Sequence, residues 1–446
     1  MERYDVLLVN PPLSSVYESY EHLGLGYIAA YLRKADIKVK ILNLSRWRVS
    51  QAVKEVRKYT SRVIGVSIPF QEGARRAFSF IVALRKAGIT CHISIGGVYP
   101  TFACDELTIM FPEVDSVVLG EGEETFLELA QRVVGGSDWR DTNGIGYRHE
   151  GYLIRNNPRP LIRDVDSLPF PARDTLSELP GQKNLATMVT SRGCYGRCSF
   201  CSVEPFYSAF GPKLRMRSSS SVLEEISLLY NQYSVRNISF NDAIFIGGKG
   251  KGFVRAGEIA EGIIKRNMDL RFSIECRAND VDTGLFALLK QAGLSKVFIG
   301  IESGSQAVLD RFCKDTTVEE NLKAMEILSE LDLVTAMGFI TFDDRITFTE
   351  LNENLLFIRK AREIFPQNRL NFNVLGKLLP LAGTEAERHM KETGKYRGNS
   401  LKFDYDFDDK RINMLYKTIK SGADFFWKVK RALGMTIDYE QEWMKR

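Results

Sequence analysis

Runs of Val, Ile and Leu alternate with helically spaced stretches from the first residues onward. DVLLVN, KVKILNL, RVIGVSIPF, CHISIGG and SVVLGEGE read as five strands. Between or after them come LGLGYIAAYLRKA, helical spacing near 50–60 and 72–87, a short helix, and TFLELAQRVV. The strands are continuously apolar and do not alternate, so both of their faces are covered. That is the signature of a parallel, doubly wound α/β sheet, expected over residues 1–136 and ending near Gly136. Across 137–184 the rhythm breaks. GGSDWRDTNGIGYRHEGYLIRNNPRP looks like a hairpin and DVDSLPFPARDTL is extended and Pro-punctuated, so this stretch is expected to be a linker.

A second series fills residues 185–380. LATMVTSRG, RNISFND, LRFSIECR, KVFIGIES, VTAMGFITF and LNFNVLGKL alternate with helical stretches of ten or more residues. Six βα units are too few for a closed eight-unit barrel, so the spacing predicts a partial (β/α)6 barrel. Residues 381–446 are expected to be loop and a terminal helix, and no solenoid-type repeat occurs.

Composition narrows the class. The chain has 446 residues, 44% hydrophobic and 26% charged, which suits two or three packed domains and excludes disorder, collagen and a disulfide miniprotein. No run approaches the ~18 apolar residues of a membrane span, and MERYDVLLVNPP lacks an export signal, so a cytoplasmic location is expected. Seven cysteines are few and odd in number, which fits reduced thiols. A net charge of +5 is too mild to announce nucleic acid. Ten Lys or Arg between residues 33 and 62 read as solvated faces, as does the Lys-rich amphipathic stretch after Arg411.

Candidate chemistry sits in the loop after the first strand of the second series. SRGCYGRCSFC spaces Cys194, Cys198 and Cys201 as CxxxCxxC at the carboxyl end of a strand, where α/β folds keep their chemistry. Three thiolates converge on one metal site yet fall one short of a closed four-ligand set. The fourth position is either completed by a distant residue, such as Cys276 or Cys313, or left open for an exchangeable ligand.

With Phe200 before the last cysteine, this motif resembles the radical S-adenosylmethionine superfamily, and so does GIESGSQAVLDRFCKDTT. The resemblance implies a 4Fe–4S cluster on Cys194, Cys198 and Cys201, with S-adenosylmethionine chelating the fourth iron. Reductive cleavage to a 5′-deoxyadenosyl radical and an external electron donor of the flavodoxin or ferredoxin type are implied with it. That family's fold is a partial (β/α)6 barrel, in agreement with the strand count. Phe200 and Asp242 are then expected near S-adenosylmethionine. At the next strand ends, Glu275 and Arg277 project to one face at period two, the arginine suited to a forked bond with a carboxylate. Glu302 and Ser303 are placed to meet the ribose. Each of these also reads as an ordinary cap or surface residue.

In the first domain, NPP (Pro11, Pro12), SIP (Ser67), IGG (Gly96, Gly97) and GEGEETF (Gly120, Glu121, Gly122) all fall at carboxyl ends of strands and outline a crevice. No GxGxxG follows the first strand, so this is not a dinucleotide fingerprint. With LPFPARD, the pattern resembles the cobalamin-binding domain that precedes many radical S-adenosylmethionine enzymes. The DxHxxG motif of cobalt-ligating relatives is absent, and Tyr99 stands where many relatives carry His. Phe70 and Gln71 are candidates for the lower cobalt face. Among the four histidines, His92 lies in a strand and reads as buried and hydrogen-bonded. No Ser/His/Asp, Walker or HExxH arrangement occurs.

The resemblance implies methylation of an unactivated carbon in a small-molecule or peptide natural product. Cyclisation or another rearrangement uses the same parts, and a non-catalytic electron-transfer or sensing module is the reading from a different class. Too few cysteines remain for a second cluster. Phe342, Asp343, Asn373 and Lys377 are candidate pocket residues, whereas Tyr405 and Phe407 read as packing.

Overall fold

The computed structural model describes residues 2–13, 21–178, 184–366 and 368–432. In the first domain, strands β1 (Val6–Asn10), β2 (Val39–Asn43), β3 (Val63–Ser67), β4 (His92–Gly96) and β5 (Ser116–Val118) form a parallel sheet in the order β2-β1-β3-β4-β5. Alternate residues of β1 go to opposite sides. Leu7 and Val9 pack with Ala74–Lys86 and Val49–Val56, while Val6 and Leu8 pack with Leu23–Arg33 and Gly122–Gly135. Each buried Leu, Ile or Val adds about 1.5–3 kcal/mol of transfer free energy, which explains why these strands carry no polar face.

The sheet runs on past Gly136. β6 (Ile145–His149) and β7 (Tyr152–Arg155) are the hairpin of the expected linker, and they add antiparallel to β5 to make seven strands. The hairpin docks because Ile145 and Tyr147 are buried against Phe126 and Leu129, Gly146 packs close to Cys104 on the other face, and the strand end Arg148–His149 is exposed. The extended stretch after it crosses to the second domain, where Arg173 is buried. Its guanidinium donates to Glu21 at 2.5 Å and to Glu225 at 2.7 Å, and so ties the first domain, the connector and the helix Ser219–Gln232 together.

The second domain is six parallel strands in sequential order: β8 (Leu185–Met188), β9 (Asn237–Phe240), β10 (Arg271–Arg277), β11 (Leu294–Glu302), β12 (Val334–Phe339) and β13 (Leu370–Phe372). One face of this sheet carries Ile238, Phe240, Phe272, Ile274, Val297 and Ile299 into a core beneath the helices. The residues of opposite parity form the concave inner face, where the chemistry lies. Beyond it, residues 381–405 return to the first domain, and the helix Lys410–Ala432 follows.

Candidate functional site

The cysteine loop is held from three sides. Ser191–Gly193 pairs antiparallel with Leu214–Met216, and the Cys194 amide donates to the Lys213 carbonyl at 3.0 Å. Gly193 has φ +95°, and a Cβ there would lie 1.8 Å from the Lys213 oxygen, so only glycine fits. Beneath the loop, Asp242 is 1% exposed. Its Oδ1 accepts from the Thr190 amide at 2.8 Å, from the hydroxyls of Thr190 (3.2 Å) and Ser191 (2.7 Å), and from the Ser191 amide. Burial raises the Asp242 pKa, and the Ser191 hydrogen bond and Arg255 oppose that rise.

Burial pushes the Cys201 thiol up to about 11, and the charges of Cys198 and Cys194 add to that rise. Arg277 reaches into this group. Its Nη1 donates to Cys198 Sγ at 3.3 Å, its Nη2 to the Lys314 carbonyl, and the guanidinium lies 5.4 Å from the centre of the Tyr195 ring. Tyr195 is anchored in turn by its hydroxyl, which donates to Asp280 at 2.9 Å. Lys314 Nζ donates to Glu302 Oε1 at 2.9 Å, and both residues are buried. Glu302 has φ +68° at a break in the β11–β12 register, which aims its carboxylate along the inner face. A Cβ at Gly300 would sit 2.7 Å from both Glu302 Oε1 and Lys314 Nζ, so the glycine makes room for the pair.

Below the cysteines, the inner face is polar. Register aligns Ser239 with Ser273 and Lys296, and Glu275 with Phe298. Glu275 is open to the concavity yet walled by protein. Burial, with a contribution from Asp242, raises its pKa to about 7.

A cavity of about 380 Å³ joins the two domains, within the size range of small-molecule sites. Ser67, Gly96, Gly97, Gly120, Glu121 and Gly122 line it from the first domain, and Ser191, Arg192, Gly193, Asn241 and Ala243 line it from the second. Its wall closes through ion pairs. Arg192 meets Glu121 at 2.7 Å and Glu123 at 2.5 Å, and Arg215 meets Glu121 at 2.9 Å. These arginines hold the Glu121 pKa low against its burial, so the carboxylate is committed to the domain junction.

Several expected contacts lie elsewhere. Gln71 is buried, but its amide is spent on the Ser400 carbonyl (2.6 Å) and the Ala382 amide (2.8 Å). Tyr99 is buried with its hydroxyl 2.7 Å from Ser400 Oγ. Both therefore anchor the returning C-terminal segment and do not line the cavity. Pro11 and Pro12 are buried outside it, and Phe70 is 44% exposed. Ser303 is fully buried and donates to Asn354 at 2.7 Å, on the helix side of the sheet and away from the concavity. Phe200 packs edge-on against Phe312 at 5.2 Å. Phe342, Tyr405 and Phe407 form a small core, Lys377 is held by Asp404 and the Tyr405 ring, Asp343 by Arg311, and the Asn373 side chain accepts from the Leu375 amide. His92 is half-buried with its ring 2.8 Å from the Ser116 hydroxyl, and desolvation lowers its pKa to about 4. Residues that the sequence reading passed over are Lys314, Arg192 and Tyr195. Only CKDTT, at the end of the family-like stretch GIESGSQAVLDRFCKDTT, offered a signal for the first of them.

Two family models match the chain: Radical SAM superfamily over residues 188–358 and B12 binding domain over residues 10–130. The chain therefore carries a B12 binding domain ahead of a radical S-adenosylmethionine domain, and these imply cobalamin, a 4Fe–4S cluster and S-adenosylmethionine as cofactors. It is 29% identical to an uncharacterized methyltransferase of Pyrococcus horikoshii over 81% of this chain and 79% of that one. It is 27% identical to 4′-phospho-dehydrooxetanocin synthase of Priestia megaterium over 76% of this chain, and spans about half (48%) of that relative's length. Among solved structures, the cobalamin-dependent S-adenosylmethionine radical enzyme OxsB with aqua-cobalamin and S-adenosylmethionine bound shares the fold. There the TM-score is 0.79 at 24% identity, covering 95% of this chain and 67% of that one.

The donor set fits these groups. Buried Asp242 Oδ2 and Arg277 Nε flank the cysteine loop without hydrogen-bond partners, an acceptor and a donor. No described helix is long and apolar enough to cross a membrane.

Proposed function

We propose that this chain methylates an unactivated carbon of a small molecule or peptide by radical chemistry in the cytoplasm, drawing electrons from an external flavodoxin- or ferredoxin-type donor. The observation that carries the reading is the cavity shared by the strand ends of the first sheet and the base of the cysteine loop. A methyl-carrying group held against Gly96, Gly97 and Gly120 would open onto the same space as the radical source. When bound, the cofactors supply the methyl group and a hydrogen-abstracting radical.

The protein's own residues hold, orient and shield. Cys194, Cys198 and Cys201 would hold the cluster, and they must give up their protons to do so. Arg277 and Lys314 lower the cost of that step at Cys194 against its burial. Asp242 fixes the backbone of Thr190 and Ser191 at the loop's base, and its free Oδ2 would meet an ammonium group. Glu302, turned along the inner face, and Glu275, poised between neutral and charged, present acceptors to a ribose or substrate hydroxyl. The ion pairs of Arg192 and Arg215 exclude water from the junction, which protects a reactive radical from quenching.

The test is anaerobic incubation of the reconstituted protein with S-adenosylmethionine, cobalamin and a reductant. Release of both 5′-deoxyadenosine and S-adenosylhomocysteine supports methylation. 5′-Deoxyadenosine without S-adenosylhomocysteine supports cyclisation or rearrangement. Neither product supports an electron-transfer or sensing module and sinks the proposal.

A further inference from the structure

Arg277 was expected to fork onto a carboxylate of S-adenosylmethionine, but its guanidinium is engaged on the protein side. One nitrogen donates to Cys198 Sγ at 3.3 Å, and the other donates to the Lys314 carbonyl. The face of the group rests on Tyr195, whose hydroxyl is fixed by Asp280 and Asn279 at 2.9 and 3.2 Å. Gly196, inside the cysteine motif, is what lets the arginine approach. A Cβ there would lie 2.4 Å from Arg277 Nη1 and 3.5 Å from Cys194 Sγ. A cation held by an aromatic platform, a carbonyl and a glycine gap against a ligand sulfur is a built arrangement, and it uses the planar donor fork that only arginine has.

We propose that Arg277 is a positioning residue for the cluster, whose charge-assisted bond to the Cys198 sulfur sets the potential at which the cluster accepts its electron. Reduction adds one electron from an external low-potential donor, with no proton and no bond broken. The added negative charge therefore falls beside the guanidinium. Hydrogen bonds and positive charge at the sulfurs raise a cluster's potential. Lys314, paired with Glu302, contributes little net charge, so Arg277 carries the effect.

The inference rests on the three cysteines being the cluster ligands. If the wild-type protein, reconstituted without air, takes up no cluster, that reading fails first and visibly. The experiment is an EPR-monitored dithionite titration of the reconstituted protein without S-adenosylmethionine, on wild type, Arg277→Gln and Gly196→Ala. Arg277→Gln is expected to lower the reduction equilibrium constant at least tenfold, about 59 mV for one electron. Gly196→Ala keeps the arginine and blocks its approach, and should shift the potential in the same direction by less. If Arg277→Gln fails to hold iron, Gly196→Ala decides alone. A loaded variant with the wild-type potential overturns the proposal. Weakened S-adenosylmethionine binding at unchanged potential would do the same and would return the guanidinium to the methionyl carboxylate.

Discussion

The two halves of the cavity are built on opposite principles. On the first-domain side the strand ends present backbone and small residues, Ser67, Gly96, Gly97 and Gly120, beside apolar side chains such as Ile28 and Phe126. Gly97 even adopts φ +118°, where a Cβ would strike the Ile68 carbonyl at 2.8 Å. On the barrel side the lining carries the ion-paired Arg192, and behind it lies a charged network whose groups are mostly bonded already: Asp242 Oδ1 by Thr190 and Ser191, Arg277 to Cys198, the Lys314 carbonyl and the Tyr195 ring, Lys314 to Glu302. A smooth wall recognises a ligand by shape and close approach, while a wired wall recognises it by charge and resists rearrangement. The first half should thus tolerate change in side-chain polarity but not in volume. The second should respond the other way round.

The comparison breaks most sharply at the cysteines. Cys198→Ala is expected to abolish cluster uptake and 5′-deoxyadenosine formation while leaving cobalamin binding to the first domain, measured by iron content and by visible absorbance of bound corrinoid. Loss of both would mean the two walls are not separate. Next comes Arg173→Met, which leaves buried Glu21 without its cation and Glu225 with Arg217 alone. Breaking such a pair costs about 3–5 kcal/mol, and a thermal melt should show both domains destabilised together. Gln71→Ala strands the Ala382 amide and the Ser400 carbonyl. The expected cost is about 1–3 kcal/mol, seen as faster proteolysis within 381–405 at unchanged cobalamin affinity. A change in affinity would restore Gln71 to the cofactor.

The smallest effect is a pH dependence. The Glu275 pKa rises from 4.5 to about 7 in the folded chain, so its neutral form is the favoured one. Its contribution to stability is complete below about pH 4.5 and is lost as pH rises through about 7. Glu275→Gln should remove that slope and leave the variant relatively more stable at about pH 8 than at about pH 5, read from denaturant midpoints at both values.

What could be read ahead of the structure follows how local each determinant is. The six-strand series was legible because Ile238, Phe240, Phe272 and Ile274 repeat at period two against helical spacing, and the cysteine loop because its three thiols lie within eight residues of chain. The hairpin Ile145–Arg155 was visible as a hairpin but not as part of the sheet, since nothing within it says which edge it will join. Gln71 and Tyr99 were misplaced for a related reason. Loop position suggested a ligand, while their actual partner, Ser400, lies some 300 residues further on, beyond any local pattern. Lys314 and Arg277 share the same limit. Their juxtaposition depends on left-handed backbone at Cys313 and Asp315, a conformation that residue type alone does not announce.

The strands of the second sheet run in sequential order from Leu185–Met188 to Leu370–Phe372 and never meet again around a ring. Among the described residues Leu185–Met188 and Leu370–Phe372 are therefore edge strands, each hydrogen-bonded to a neighbour on one side only, where a closed ring would have no edge at all.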